Sequence, residues 1–129
     1  MKPPLETIHG QPSLGVCSDK VEAWVTRQAG MLGPVTFTLG RKKVAPFSVA
    51  PWALNRETIE KGLPPLLHAL RGDFFCLPFG GNETSYRGEQ HPPHGETANS
   101  RWTHGKLTSC DGVHELHLQL KTRVRKGQV

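Results

Sequence analysis

The sequence predicts an all-β fold of antiparallel strands, and three observations carry that expectation. Glycine and proline are abundant, 14 and 11 among 129 residues, and both punctuate short strands through turns. Apolar residues recur with period two in three separate runs, the spacing that puts them on one face of a strand. Asp111-Gly112 stands between two strand-like runs, a strong short-range hairpin signal. Hydrophobic residues make up 36%, so a single domain of this length has a thin core.

Taken in order, residues 1–18 hold Pro3, Pro4, Gly10, Pro12 and Gly15 and read as an irregular leader, with the β domain running over residues 19–129. Val21, Ala23 and Val25 alternate with Glu22, Trp24 and Thr26, which makes a strand with its apolar face on the odd positions. Gly30 and Gly33-Pro34 turn the chain into a second strand, in which Val35, Phe37 and Leu39 alternate with Thr36 and Thr38. Residues 44–50 follow a turn at 40–43, and Pro46 confines them to a sheet edge. Asn55 is a candidate helix cap for residues 56–60, stopped by Gly62 and Pro64, and Pro65 begins a second short helical turn through Leu70. Residues 73–79, Asp-Phe-Phe-Cys-Leu-Pro-Phe, are a compact apolar run rich in aromatics, and read as a buried strand. Residues 80–105 are polar, without period and longer than ordinary connections, a length often tied to function. The chain then closes as a hairpin in which Leu116, Leu118 and Leu120 face one way and Glu115, His117, Gln119 and Lys121 the other. Six or seven strands are expected in all, with a charged, strand-like ending at Val129 that reads as cut short.

The formal charge is +5, but Lys121, Arg123, Arg125 and Lys126 supply most of it at one end. No basic stripe interleaved with aromatics runs through the body, so no nucleic-acid partner is expected. No apolar run reaches the roughly 20 residues of a membrane span, and the first residues lack a signal-peptide core. A cytoplasmic, membrane-free protein is the expectation. Cys17, Cys76 and Cys110 are odd in number and widely spaced, as reduced buried thiols would be.

Four of the seven histidines fall in or beside the polar stretch: His68 before it, and His91, His94 and His104 within it. His91-Pro92-Pro93-His94-Gly95-Glu96 is the densest group able to act near neutral pH. The prolines restrict the backbone around each imidazole, and Gly95 allows close approach of another chain or a ligand. A metal site would draw on His91, His94, Glu96 and His104, but Pro92-Pro93 makes the two rings diverge, and no Cys-x-x-Cys or His-Glu-x-x-His accompanies them. No metal or other cofactor is expected. Nucleophile-elbow, phosphate-loop and dinucleotide motifs are all missing.

These features occur in a suggestive order. Residues 30–35, Gly-Met-Leu-Gly-Pro-Val, are followed by residues 72–82, Gly-Asp-Phe-Phe-Cys-Leu-Pro-Phe-Gly-Gly-Asn, then by His94-Gly95 and Trp102. This succession resembles the opening part of the galactose mutarotase-like family, which includes the aldose 1-epimerases, over residues 21–124. The resemblance implies an antiparallel β-sandwich, here part of a larger supersandwich. It also implies a small-molecule sugar as partner, and acid–base interconversion of α and β anomers through ring opening. His94 matches the first family histidine, a hydrogen-bond donor to sugar oxygen and the catalytic candidate. Asn82 matches the polar residue closing the Pro-Phe segment, and Trp102 the aromatic after His-Gly; both are candidate sugar contacts. Glu83 and Thr84 stand where the family often has arginine, and the charged residues 96–101 replace an aromatic or glycine-rich segment. The family's second histidine and its glutamate base have no counterpart in these 129 residues, so this chain alone is expected not to speed mutarotation. Two rival readings remain: a metal-binding β-sandwich using His91, His94 and His104, and a non-catalytic interaction module acting through Arg123 and Arg125.

Overall fold

The computed structural model describes residues 2–54 and 62–129. Five strands form one antiparallel sheet in chain order: β1 (Leu5–Ile8), β2 (Gln11–Cys17), β3 (Val21–Thr26), β4 (Leu32–Leu39) and β5 (Lys42–Val44). A short 3-10 turn at Pro51–Leu54, α1 (Pro65–Ala69) and α2 (Gly95–Asn99) precede a hairpin of β6 (Thr103–Cys110) and β7 (Val113–Gln119). A small ladder of β8 (Lys121–Thr122) and β9 (Gly127–Gln128) completes the nine strands among the described residues. The fold is all-β, antiparallel and sandwich-like, with β7 lying against β2.

Residues 1–18 are not an irregular leader, because β1 and β2 pair there from Leu5↔Leu14 to Ile8↔Gln11. His9 and Gly10 both adopt positive φ, 44° and 73°, which supplies the tight turn that suits a twisted hairpin. Pro3 and Pro4 precede the first strand. Pro12, inside β2, lacks only its donor; its carbonyl accepts from Arg27 N–H at 2.8 Å. Trp24 lies over Gly15, where an added Cβ would come within 2.8 Å of the indole.

The period-two pattern in β3 is present, but its deeper face is the one with Trp24 and Thr26. The Trp24 indole donates to the Glu22 carboxylate at 2.7 Å, and the Thr26 hydroxyl joins Gln28 O while accepting from Met31 N–H. Polar atoms with such partners are buried without the penalty of an orphaned group. In β4 the same period appears, with Gly33 and Val35 buried. β5 stops at Val44, so only the first residue of the expected 44–50 edge strand lies in it, and the strand does stand at the sheet edge. The helix expected at Asn55 lies outside the described residues. Its continuation is α1, which starts at Pro65, where a missing N–H is harmless.

Residues 74–79 are neither a strand nor buried. Asp73 pairs with Leu32 through both backbone bonds, at 2.7 and 3.1 Å, but no ladder continues beyond it. Leu77 N–H instead donates to the Thr97 hydroxyl at 2.8 Å, and Pro78 has no N–H to offer. The segment therefore crosses the surface with alternate side chains outward: Phe75 is 52% exposed and Phe79 78%. The core gathers instead on Ala29, Met31, Leu66, Ala69 and Ala98, with Leu67, Leu70 and Phe74 packed against it. This core joins the β3–β4 connection to α1 and α2, so the polar stretch is anchored from beneath. The cysteines are free, but Cys17 and Cys110 are exposed at strand ends and Cys76 is half-buried, rather than the buried set expected.

Candidate functional site

The residues around His94 are held by backbone geometry. His94 takes a left-handed φ of 59° and Gly95 follows at 80°. Gly95 is required by space as well as by φ: a Cβ there would sit 2.0 Å from the Leu77 carbonyl oxygen. His94 N–H donates to Gly80 O at 2.7 Å, and Gly95 N–H to Pro92 O at 2.8 Å. Asn99 closes the turn by donating to Pro93 O and Gly95 O, at 2.6 and 2.8 Å. Two strands of loop, residues 77–82 and 92–95, are thereby drawn together.

The imidazole is half-buried. Phe74 and Phe79 each meet it at an edge, with centroids 5.8 and 5.6 Å away and planes at 85° and 66°, a favourable arrangement for aromatic rings. Its Nδ1 lies 3.7 Å from the Cys76 sulfur. Nε2 has no hydrogen-bond partner among the described residues. The ring thus has one nitrogen free, beside Phe79, which is itself exposed.

Asn82 lies on the same loop pair, in a left-handed conformation of φ 55°. Its amide donates to Pro92 O at 2.9 Å and Pro78 O at 3.3 Å, and Gln90 donates to its backbone carbonyl at 2.8 Å. Both amide hydrogens therefore brace the two arms beside His94, so Asn82 shapes the site through its donors. Trp102 is elsewhere. It is 7% exposed, its indole donates to Thr97 O at 2.8 Å, and it covers Gly30 so closely that a Cβ there would be 2.7 Å from Nε1. That face is enclosed by protein, which removes Trp102 as a stacking platform for a sugar. The aromatic after His-Gly was read as a contact because sequence spacing does not say which side of α2 it occupies.

Next to this loop pair is a cleft of about 500 Å³. Leu77, Pro78, Asn82, Tyr86, Glu89 and Arg125 are among the residues that line it. Two carboxylates in its lining are engaged. Glu96, in the first turn of α2 and buried, accepts from Arg123 N–H at 2.8 and 3.0 Å and from Val124 N–H at 2.9 Å. Glu89 accepts from Arg125 Nε at 2.9 Å and His91 Nε2 at 3.1 Å. The Arg125 hydrogen bond, then that of His91, hold the Glu89 carboxyl below the usual glutamate range. A depressed folded-state pKa gives a contribution that is present above the unfolded value and lost as pH falls through the folded one. The Glu89–Arg125 contact is therefore expected to persist at pH 5 and open only below about 4.3, read from the Arg125 Nε–H resonance. Opening at higher pH contradicts the assignment. Nothing in the sequence pattern singled out Glu89, and Glu96 was read only as a candidate metal ligand; their partners lie 36 and 27 residues away.

With His91 engaged by Glu89, and His104 exposed on β6, the three histidines of the metal reading do not meet. Among the described residues no three His, Cys, Asp or Glu side chains are grouped to hold a metal ion. Arg125, half of the pair in the interaction-module reading, is engaged by Glu89. No described helix is long and apolar enough to cross a membrane. Comparison of the chain with protein-family models, with curated proteins and with solved structures gives no match.

Proposed function

We propose that this chain is a mutarotase-like, carbohydrate-binding β domain in which His94 is the polar centre of the sugar site. One observation carries the reading: an imidazole clamped between two phenylalanine edges, with Nε2 unpartnered and exposed Phe79 beside it. A pyranose presents an apolar C–H face and a polar rim. Sites for such ligands pair aromatic surface with a few convergent polar groups. Holding the imidazole in advance lowers the ordering cost of binding. Exposed Phe79 takes the role of aromatic sugar contact first assigned to Trp102, while Asn82 keeps the loop in shape. The order of landmarks along the chain supports aldose 1-epimerase chemistry, in which His94 donates to sugar oxygen and favours protonation on the ring-oxygen side. No carboxylate or second imidazole is hydrogen-bonded to His94 among the described residues; its one polar contact there is the Cys76 sulfur. Three free thiols suit a reducing, cytoplasmic setting.

Calorimetric titration with a panel of neutral aldohexoses tests this. His94→Ala and Phe79→Ala are each expected to weaken binding about tenfold, or roughly 1.4 kcal/mol, while His117→Ala on the exposed face of β7 leaves it unchanged. Undiminished affinity in His94→Ala, or a wild-type chain that binds no aldose, refutes the proposal.

A further inference from the structure

An imidazole can present Nε2 as a donor or as an acceptor, and the choice is made at its other nitrogen. In His94 that nitrogen, Nδ1, faces only the Cys76 sulfur, at 3.7 Å. A thiol is a weak donor and sulfur a weak acceptor, whereas an unprotonated imidazole nitrogen accepts well. The favoured arrangement is therefore S–H donating to Nδ1. The surroundings keep that proton on sulfur: burial first, and then the negative charge of Asp73, push the Cys76 thiol up from its ordinary value. Among the described residues no cation opposes them, so a thiolate accepting from Nδ1–H is disfavoured. Phe74 and Phe79 meet the same ring at an edge, with centroids 5.8 and 5.6 Å away.

We infer that Cys76 is a positioning residue that holds His94 in its Nε2–H tautomer, so that the imidazole meets a sugar oxygen as a hydrogen-bond donor. The use of that donor rests on the carbohydrate reading, whereas the tautomer itself does not. Without the thiol, both neutral tautomers become accessible, and the fraction presenting Nε2–H falls. Apparent affinity falls by the same fraction, because only one form is competent. A serine hydroxyl is also a donor and restores the preference.

Two-bond ¹H–¹⁵N spectra of the histidine rings in the full labelled chain, at about pH 8 where imidazole is neutral, read the tautomer directly. Wild type is expected to show a protonated Nε2 and a bare Nδ1 at His94. Cys76→Ala moves the two ¹⁵N shifts toward each other and weakens aldose binding by up to about twofold; Cys76→Ser returns both properties toward wild type. A protonated Nδ1 in wild type, or an unchanged pattern in Cys76→Ala, overturns the inference. The expected tautomer in a wild-type chain without aldose affinity overturns the carbohydrate reading instead.

Discussion

Replacing Gly95 with alanine is expected to be among the most damaging single changes in the chain, lowering stability by about 4 kcal/mol or preventing folding. Two effects add. At φ 80° an L-residue carries a strain of about 1–2 kcal/mol. The new methyl group would also lie 2.0 Å from Leu77 O, 2.2 Å from its carbonyl carbon and 2.7 Å from Pro78 N. All three are backbone atoms, so relief means separating residues 77–78 from 95, which is the juxtaposition that places His94 beside Phe79. Gly40→Ala is the control. It has a similar positive φ of 62° but nothing within 4 Å of the added carbon, so only the strain of about 1–2 kcal/mol is expected. Denaturant unfolding measures both, and similar losses in the two variants contradict the close-approach explanation.

Arg71→Met is expected to cost about 3 kcal/mol, with the loss spread over the β1–β2 turn and the end of α1. Arg71 is 2% exposed and the largest fully buried side chain among the described residues. Its Nε donates to Ala69 O at 2.9 Å, and its two terminal nitrogens donate to Ile8 O at 2.8 Å and His9 O at 3.1 Å. The cation is thus neutralised by carbonyl dipoles instead of a carboxylate. Burial lowers its pKa, yet arginine starts so high that it stays charged at any ordinary pH. Methionine fills comparable space but strands three acceptors, each worth about 1–3 kcal/mol where water cannot replace the donor. The β1–β2 turn at His9-Gly10 loses its tie to the segment after α1, so amide exchange in β1 should accelerate along with the global loss. Lysine, with a single point charge, cannot span all three carbonyls and should recover less than half. A variant as stable as wild type refutes this role.

These two residues also show where the sequence was readable and where it was not. Alternation in residues 21–26 and 113–119, the Asp111-Gly112 turn with φ of 51° and 77°, and the Pro65 helix start are local signals. Each depends on a residue's own conformational preference or on its immediate neighbours, so each could be read directly. Residues 5–17 were misread because Pro3, Pro4, Gly10, Pro12 and Gly15 punctuate residues 1–18, while the His9-Gly10 turn that organises them is a less common pair. Residues 74–79 were misread because apolar, aromatic content was equated with burial. Their ladder ends at Asp73 because Leu77 bonds a threonine side chain 20 residues on, and nothing nearby announces that.

The site shows the same division. His94 stood out from its place beside proline and Gly95, and Asn82 only through the resemblance; the structure puts both on one loop pair. Trp102 was misassigned because a hydrogen bond to Thr97 O, invisible in the spacing, turns it inward. Cys76 had been treated as an inert buried thiol, and its contact with an imidazole 18 positions away needed coordinates. Glu96 was grouped among candidate metal ligands, whereas its carboxylate is engaged by the backbone of residues 123 and 124.

Titrating the ring-labelled chain with galactose, while following histidine and aromatic resonances residue by residue, is the most direct test of sugar recognition. His94 and Phe79 are expected to shift together along one saturable curve, with Trp102 and His117 still. Shifts confined to Tyr86 and His91 in the neighbouring cleft, or no shifts up to the solubility of the sugar, would contradict a saccharide site at His94.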